Sequence, residues 1–216
     1  MNTPQIIYIT DPLCGWCYAS APILEKLINT PELPPVSLMH RALFTGPMIR
    51  WMSRSFSDYV MTADRRITQL SGQRFSKAYQ ENLFYRDHLI FDSWPTAKAI
   101  QVIKGYDSDK VIPFFKALQH ARFTEGKVIT DASVLSELAA SCGLAADLFH
   151  QQFHYESRIE EAAQLEQKQT IELMDQVFTG GVPCFILQQE NKIERIAHET
   201  YFSNPQGLID QILKLL

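Results

Sequence analysis

Asp11-Pro12-Leu13-Cys14-Gly15-Trp16-Cys17-Tyr18 joins two different apolar patterns. Before it runs Gln5-Ile6-Ile7-Tyr8-Ile9-Thr10, a short, mostly β-branched stretch that reads as a buried strand. After it, Ala19 to Leu27 reads as a helix, with an apolar face at Leu24, Leu27 and Ile28. The two cysteines therefore fall where a strand hands over to a helix. At that place free backbone N–H groups stabilise a thiolate, and two residues between the cysteines allow a small disulfide to close. This is the pattern of a redox dithiol. Half of a structural zinc site and an inert buried pair are the competing readings. A second CxxC is missing, and Cys142 and Cys184 stand far apart, which argues against zinc.

The chain has 216 residues, enough to bury a sizeable core. It is 46% hydrophobic and 20% charged, with net charge −4 and a pI near 5.9. Nothing resembles the basic stripe that nucleic acid or an anionic membrane requires, because Arg65-Arg66 is the densest basic run. Strand-like sequence starts at Gln5, and no stretch approaches the length of a membrane span, so the expected location is the cytoplasm. Four cysteines do not build the framework of a small secreted fold.

Val36 to Leu43 reads as a second strand, parallel to the first if the crossover is right-handed. From Pro47 to Phe178 the pattern is helical. One helix opens at Ser57 or Asp58 and stops at Ser71-Gly72. A second covers Ser76 to Phe84, and a third is capped by Ser93. Further helices cover Asp109 to Phe123, Thr130 to Cys142, Asp147 to Phe153 and Ile159 to Val177. Strands return at Val182–Leu187 and Ile193–Ala197, joined by a hairpin turn at residues 189–192, and Asn204-Pro205 opens a last helix. The expected units are residues 1–46 and 179–216, which together form a sheet domain, with 47–178 as an all-helical insertion.

This order, with Cys14-Gly15-Trp16-Cys17 opening the first helix and Gly180-Gly181-Val182-Pro183 leading into the third strand, resembles the DsbA-like branch of the thioredoxin superfamily. Asp11-Pro12-Leu13-Cys14 and Phe123-Thr124-Glu125-Gly126-Lys127 look like the FrnE-like cytoplasmic oxidoreductases, relatives of 2-hydroxychromene-2-carboxylate isomerases and kappa-class glutathione transferases. The resemblance implies an α/β thioredoxin-like sheet domain interrupted by a long helical insertion. It also implies a cis Pro183 beside the dithiol, and thiol–disulfide oxidoreductase or isomerase activity. Those isomerases and transferases usually lack the second cysteine, so Cys17 favours dithiol chemistry.

On that reading Cys14 is the exposed nucleophile and Cys17 the shielded resolving thiol. Trp16 and Val182 contact substrate, and Phe91 and Trp94 are cleft residues lent by the insert. The family's buried carboxylate six residues before the first cysteine is replaced by Tyr8. Proton transfer then falls to Tyr8 or Asp11, although a turn role with Pro12 also explains Asp11. Cys184 is either a third redox thiol or a small core residue, and Cys142 a core residue. No bound cofactor or metal is expected, and His150 and His154 are the best metal-like pair. Glutathione is a candidate co-substrate. The partners are a protein or small molecule carrying a thiol or disulfide, together with a cellular thiol-reducing system. A glutathione-dependent isomerase or transferase and a non-enzymatic peptide-binding adaptor are the alternatives.

Overall fold

The strand ahead of the cysteines, β1 (Gln5–Thr10), is buried along nearly its whole length, as its unbroken apolar run requires. The computed structural model describes residues 4–85, 89–190 and 192–216. β2 (Val36–His40) pairs parallel to β1, with Tyr8 opposite Leu38. β5 (Cys184–Gln189) lies antiparallel on the other side of β1, with Tyr8 opposite Phe185, and β6 (Lys192–Ile196) pairs antiparallel with β5. The sheet order is β2-β1-β5-β6. Asn191, part of the expected hairpin turn, lies outside the described residues.

The helix after the cysteines is broken in two. α1 (Gly15–Ala19) ends at Ser20, and α2 (Ala21–Ile28) begins with Pro22 in its first turn, where a missing N–H interrupts nothing. Ile23, Leu24 and Leu27 are buried on α2, whereas Ile28, read as part of the apolar face, is 40% exposed. α10 (Pro205–Leu213) starts on an Asn204 side chain that accepts from the Gly207 N–H, and it packs beside α2.

Between β2 and β5 come α3 (Arg54–Ser71), α4 (Lys77–Phe84), α5 (Trp94–Tyr106), α6 (Val111–Phe123), α7 (Ala132–Ser141), α8 (Ala146–Tyr155) and α9 (Ser157–Gln176). Ser53, rather than Ser57 or Asp58, caps α3 by accepting from Phe56 N–H, and Gly72 closes it in the left-handed region. Ser57, a turn inside, spends its hydroxyl on the Arg54 carbonyl. The insertion is not wholly helical. β3 (Arg50–Trp51) and β4 (Ile90–Phe91) form a two-stranded ribbon, too short for a period of two to be visible in the sequence.

One apolar core runs from the sheet into the insertion, joining Ile6, Tyr8 and Phe185 to Phe114, Phe115 and Leu118. Polar groups also join the two parts. Buried Glu166 of α9 accepts from the His40 N–H at the end of β2 and from Lys104 Nζ of α5. The His40 ring accepts from Ala42 N–H through Nδ1, which leaves Nε2–H to donate to Thr96 Oγ1. Gly126, in the left-handed region, lies so close to the Ala78 carbonyl that no side chain fits there, which brings the loop after α6 against α4.

A buried charge cluster lies where the insertion meets the sheet domain. Arg122 of α6 is 2% exposed, with its guanidinium carbon 4.6 Å from the Phe91 ring centre. Asp64 of α3 is 5% exposed. Burial pushes its carboxyl up to about 7, although Tyr79, Arg122 and Arg65 pull it down. From pH about 4 to about 7 the folded chain therefore keeps a proton that the unfolded chain has released. Stability from this group falls as pH rises through that window. Asp64→Asn should accordingly gain on wild type as pH rises from 4 to 8, by up to about 4 kcal/mol, read by urea unfolding at each pH.

Candidate active site

The turn between β1 and α1 is built by one side chain. Asp11 is wholly buried, and its Oδ1 accepts from Leu13 N–H at 2.8 Å while Oδ2 accepts from Leu43 N–H at 2.7 Å. Its carbonyl accepts from Cys14 N–H at 3.1 Å. This is the turn role. Cys14 is then the N-cap of α1, and its Sγ accepts from Cys17 N–H at 3.4 Å. Cys14 Sγ also lies 3.7 Å from the Val182 carbonyl, and the Val182–Pro183 peptide bond is cis. The structure thus brings together Cys14, Cys17, Trp16 and the Val182–Pro183 pair.

Exposure separates the two thiols only narrowly, at 8% for Cys14 and 0% for Cys17. Burial pushes the Cys17 thiol well above its ordinary value, and neighbouring Cys14 pushes the same way. The Thr10 hydroxyl acts in the opposite direction. Thr10 is buried, and its Oγ1 has no hydrogen-bond partner among the described residues. Sequence reading passed over it, although period-two alternation along β1 puts it on the face of Tyr8. Tyr8 donates its hydroxyl to the Cys17 carbonyl at 3.1 Å and stacks on Phe185, with ring centres 4.4 Å apart. Burial holds its phenol well above the usual tyrosine range, so it works as a hydrogen-bond donor.

Gly15 is enclosed. A Cβ there would stand 3.0 Å from Ile67 Cδ1 and 3.1 Å from Asp64 Oδ1, both on α3. The insertion thus reaches the middle of the cysteine motif, by a contact that no local pattern announces.

Val182, Pro183 and half-buried Trp16 line a cleft of about 410 Å³, with Phe202 beside Trp16. Phe91 and Trp94 do not line it. Phe91 is 2% exposed and packs edge-on against Phe44 and Phe56. Trp94 donates its indole N–H to Glu160 at 2.8 Å and packs on Ala42, Ala97 and Ala163. Both aromatic rings are engaged within the protein. Cys184 packs with Ile7, Ile9, Met174 and Ile186, the set on the sheet face opposite Tyr8 and Phe185, and burial raises its thiol to about 11. Cys142, expected in the core, is the half-buried C-cap of α7. Among the described residues no group of three or more His, Cys, Asp and Glu side chains is placed to hold a metal. Nor is any helix there long and apolar enough to cross a membrane.

The family model of the DSBA-like thioredoxin domain matches residues 5–199. Among solved structures, the chain is similar to the cytosolic disulfide reductase DsbM from Pseudomonas aeruginosa. The TM-score is 0.86 and the identity 28%, covering 98% of this chain and 100% of that one. A second structure of DsbM, with GSH, gives a TM-score of 0.82 at 26% identity, covering 98% of each chain. The oxidoreductase DsbA from Xylella fastidiosa shares the fold at 12% identity, with a TM-score of 0.58, covering 99% of this chain and 86% of that one. A comparison with curated proteins gives no match. Cysteine turn, four-stranded sheet and helical insertion therefore have one explanation: the chain belongs to the family of DSBA-like thioredoxin domains.

Proposed function

We propose that the protein is a thiol–disulfide oxidoreductase that cycles Cys14 and Cys17 between dithiol and disulfide. The observation that carries this is Cys14 Sγ at the start of α1, accepting the Cys17 N–H and facing Val182, with Cys17 fully buried one turn on. In the reducing direction the Cys14 thiolate attacks one sulfur of a substrate disulfide. A mixed disulfide forms and the first thiolate leaves. Cys17 gives up its proton and attacks Cys14 Sγ. The Cys14–Cys17 disulfide closes and the second thiolate leaves, so two electrons pass to the substrate. Two equivalents of a cellular thiol, such as glutathione, return the pair to the dithiol and become oxidised in turn. Pro183 offers no N–H beside the sulfurs, Val182 presents backbone to an extended substrate, and Trp16 walls the cleft. Tyr8 and Thr10 surround the Cys17 end and are the groups proposed to assist its proton, while Asp11 holds the turn.

The similarity to DsbM supports the reducing direction, a cytoplasmic location and glutathione as co-substrate. The segments around Cys14 and Gly126 support placement in the FrnE-like branch. The DsbM structure with GSH also gives ground for a second reading, a glutathione-dependent isomerase or transferase. Residues 1–46 with 179–216 form the proposed catalytic unit, and 47–178 the insertion that covers it.

Cys17→Ser should trap Cys14 in a mixed disulfide with glutathione or a protein thiol, seen by mass spectrometry after non-reducing isolation. Loss of disulfide turnover with an intact transferase or isomerase activity would favour the second reading. In the reduced wild type, iodoacetamide should label Cys14 first at neutral pH. Cys17 labelling should begin only above the ordinary thiol range, since burial keeps that proton on. Earlier labelling of Cys17 in the native chain would reverse the assignment.

A further inference from the structure

The cleft that adjoins Cys14 through Val182 carries charges that the exchange reaction does not use. The chain is acidic overall, at −4, yet two arginines from different elements line this one cleft, Arg66 of α3 and Arg195 of β6. Arg66 is exposed, and no ion pair engages it among the described residues. Arg195 is held by Glu199, which lines the same cleft. His198 lies behind them, buried, with Nδ1 unpartnered among the described residues, and burial lowers its pKa to about 4, so it adds no charge at neutral pH. Trp16 and Phe202 supply aromatic lining, and Leu70, Val182 and Pro183 the rest of the apolar wall.

One unpaired arginine and one arginine–glutamate pair beside a redox sulfur describe the complement of their ligand: the pair matches a zwitterionic amino-acid head, and Arg66 a second carboxylate. That ligand carries two carboxylates, one ammonium and a sulfur within reach of Cys14. Guanidinium groups bind carboxylates through two parallel hydrogen bonds, and Arg66 enters such a contact with no existing ion pair to break. The volume, about 410 Å³, is in the range of small-molecule sites and well below what a folded protein surface would occupy. A neutral or cationic disulfide would leave Arg66 unmatched.

We propose that this cleft is a binding site for a short peptide thiol or disulfide bearing two carboxylates and one ammonium, with Arg66 and Arg195 taking the carboxylates and Glu199 the ammonium. Glutathione belongs to this class. The inference rests on the thiol–disulfide reading above and adds to it the residues that select the substrate. These residues are specificity determinants, and the sulfur chemistry stays with Cys14 and Cys17.

The test uses the full-length reduced protein and two probes, glutathione disulfide and the uncharged 2-hydroxyethyl disulfide. Second-order rate constants for loss of the Cys14 thiol are read by acid quenching and mass spectrometry. In wild type, the ratio of the glutathione to the hydroxyethyl rate constant should fall as salt is raised. Arg66→Gln and Arg195→Gln should each lower that ratio about fivefold or more, and Arg66→Lys less. Lys26→Gln, a charge change on α2 outside the cleft lining, is the control. A ratio unchanged in both arginine variants, or lowered equally by the Lys26 change, overturns the proposal while leaving the dithiol chemistry in place. If wild type reacts with neither disulfide, the thiol–disulfide reading itself fails, and this inference with it.

Discussion

The Asp11 carboxylate accepts one backbone N–H on each oxygen, from Leu13 in the cysteine turn and from Leu43 beyond β2. Hydrogen bonds to a charged acceptor are each worth about 1.5–3 kcal/mol, and a buried carboxylate without them would be strongly unfavourable. The position of the turn relative to the sheet therefore follows from this one group. With the turn fixed, Cys14 falls at the cap of α1, Cys17 falls inward, and β5 brings the Val182 carbonyl up to Cys14. Arg122 adds a long-range component: burial lowers the pKa of its guanidinium, while the charges of Tyr79, Asp64 and Asp11 act in the opposite direction. The insertion contributes charge to the foundation of the site as well as apolar contact.

Around the second cysteine, hydroxyls stand where the carboxylate common in the family is missing from the sequence. Tyr8 and Thr10 lie on one face of β1 beside Cys17, and both are fully buried. A carboxylate there would have to be desolvated and would gain or lose a proton with the redox state. Hydroxyls remain neutral and adjust by rotating a hydrogen. The chemistry at Cys17 is thus set by burial and by neutral dipoles.

Much of this was legible in the sequence because it is local. β1, the caps at Ser76 and Asn204, the stop at Gly72 and the position of Cys14 all depend on neighbours within a few residues. The break at Ser20 was missed because Ala19–Leu27 has good propensity throughout, and only Pro22 marks the new start. The β3–β4 ribbon escaped notice because each strand is two residues long and its pairing is non-local. Phe91 and Trp94 were read as cleft residues because an aromatic side chain looks the same whether it faces a cleft or the interior. Arg122 on Phe91 and Glu160 on Trp94 decide that, and both partners are distant in sequence. Arg66 and Arg195 carried no sequence signal either, since nothing in their local neighbourhoods relates one to the other.

The enclosure of Gly15 bears on how such a motif can diversify. Gly15, one of the two residues between the cysteines, is a mechanical spacer between α1 and α3, because Ile67 and Asp64 crowd the volume its side chain would fill. A bulkier occupant at position 15 would act as a wedge, levering α3 and the residues it carries away from α1. The opening of the cleft and the identity of the motif would then change together. Over evolutionary time, exchanges within the cysteine pair's interior should be accompanied by compensating reductions in size on α3, making the two stretches a co-varying unit although they are some fifty residues apart in the chain.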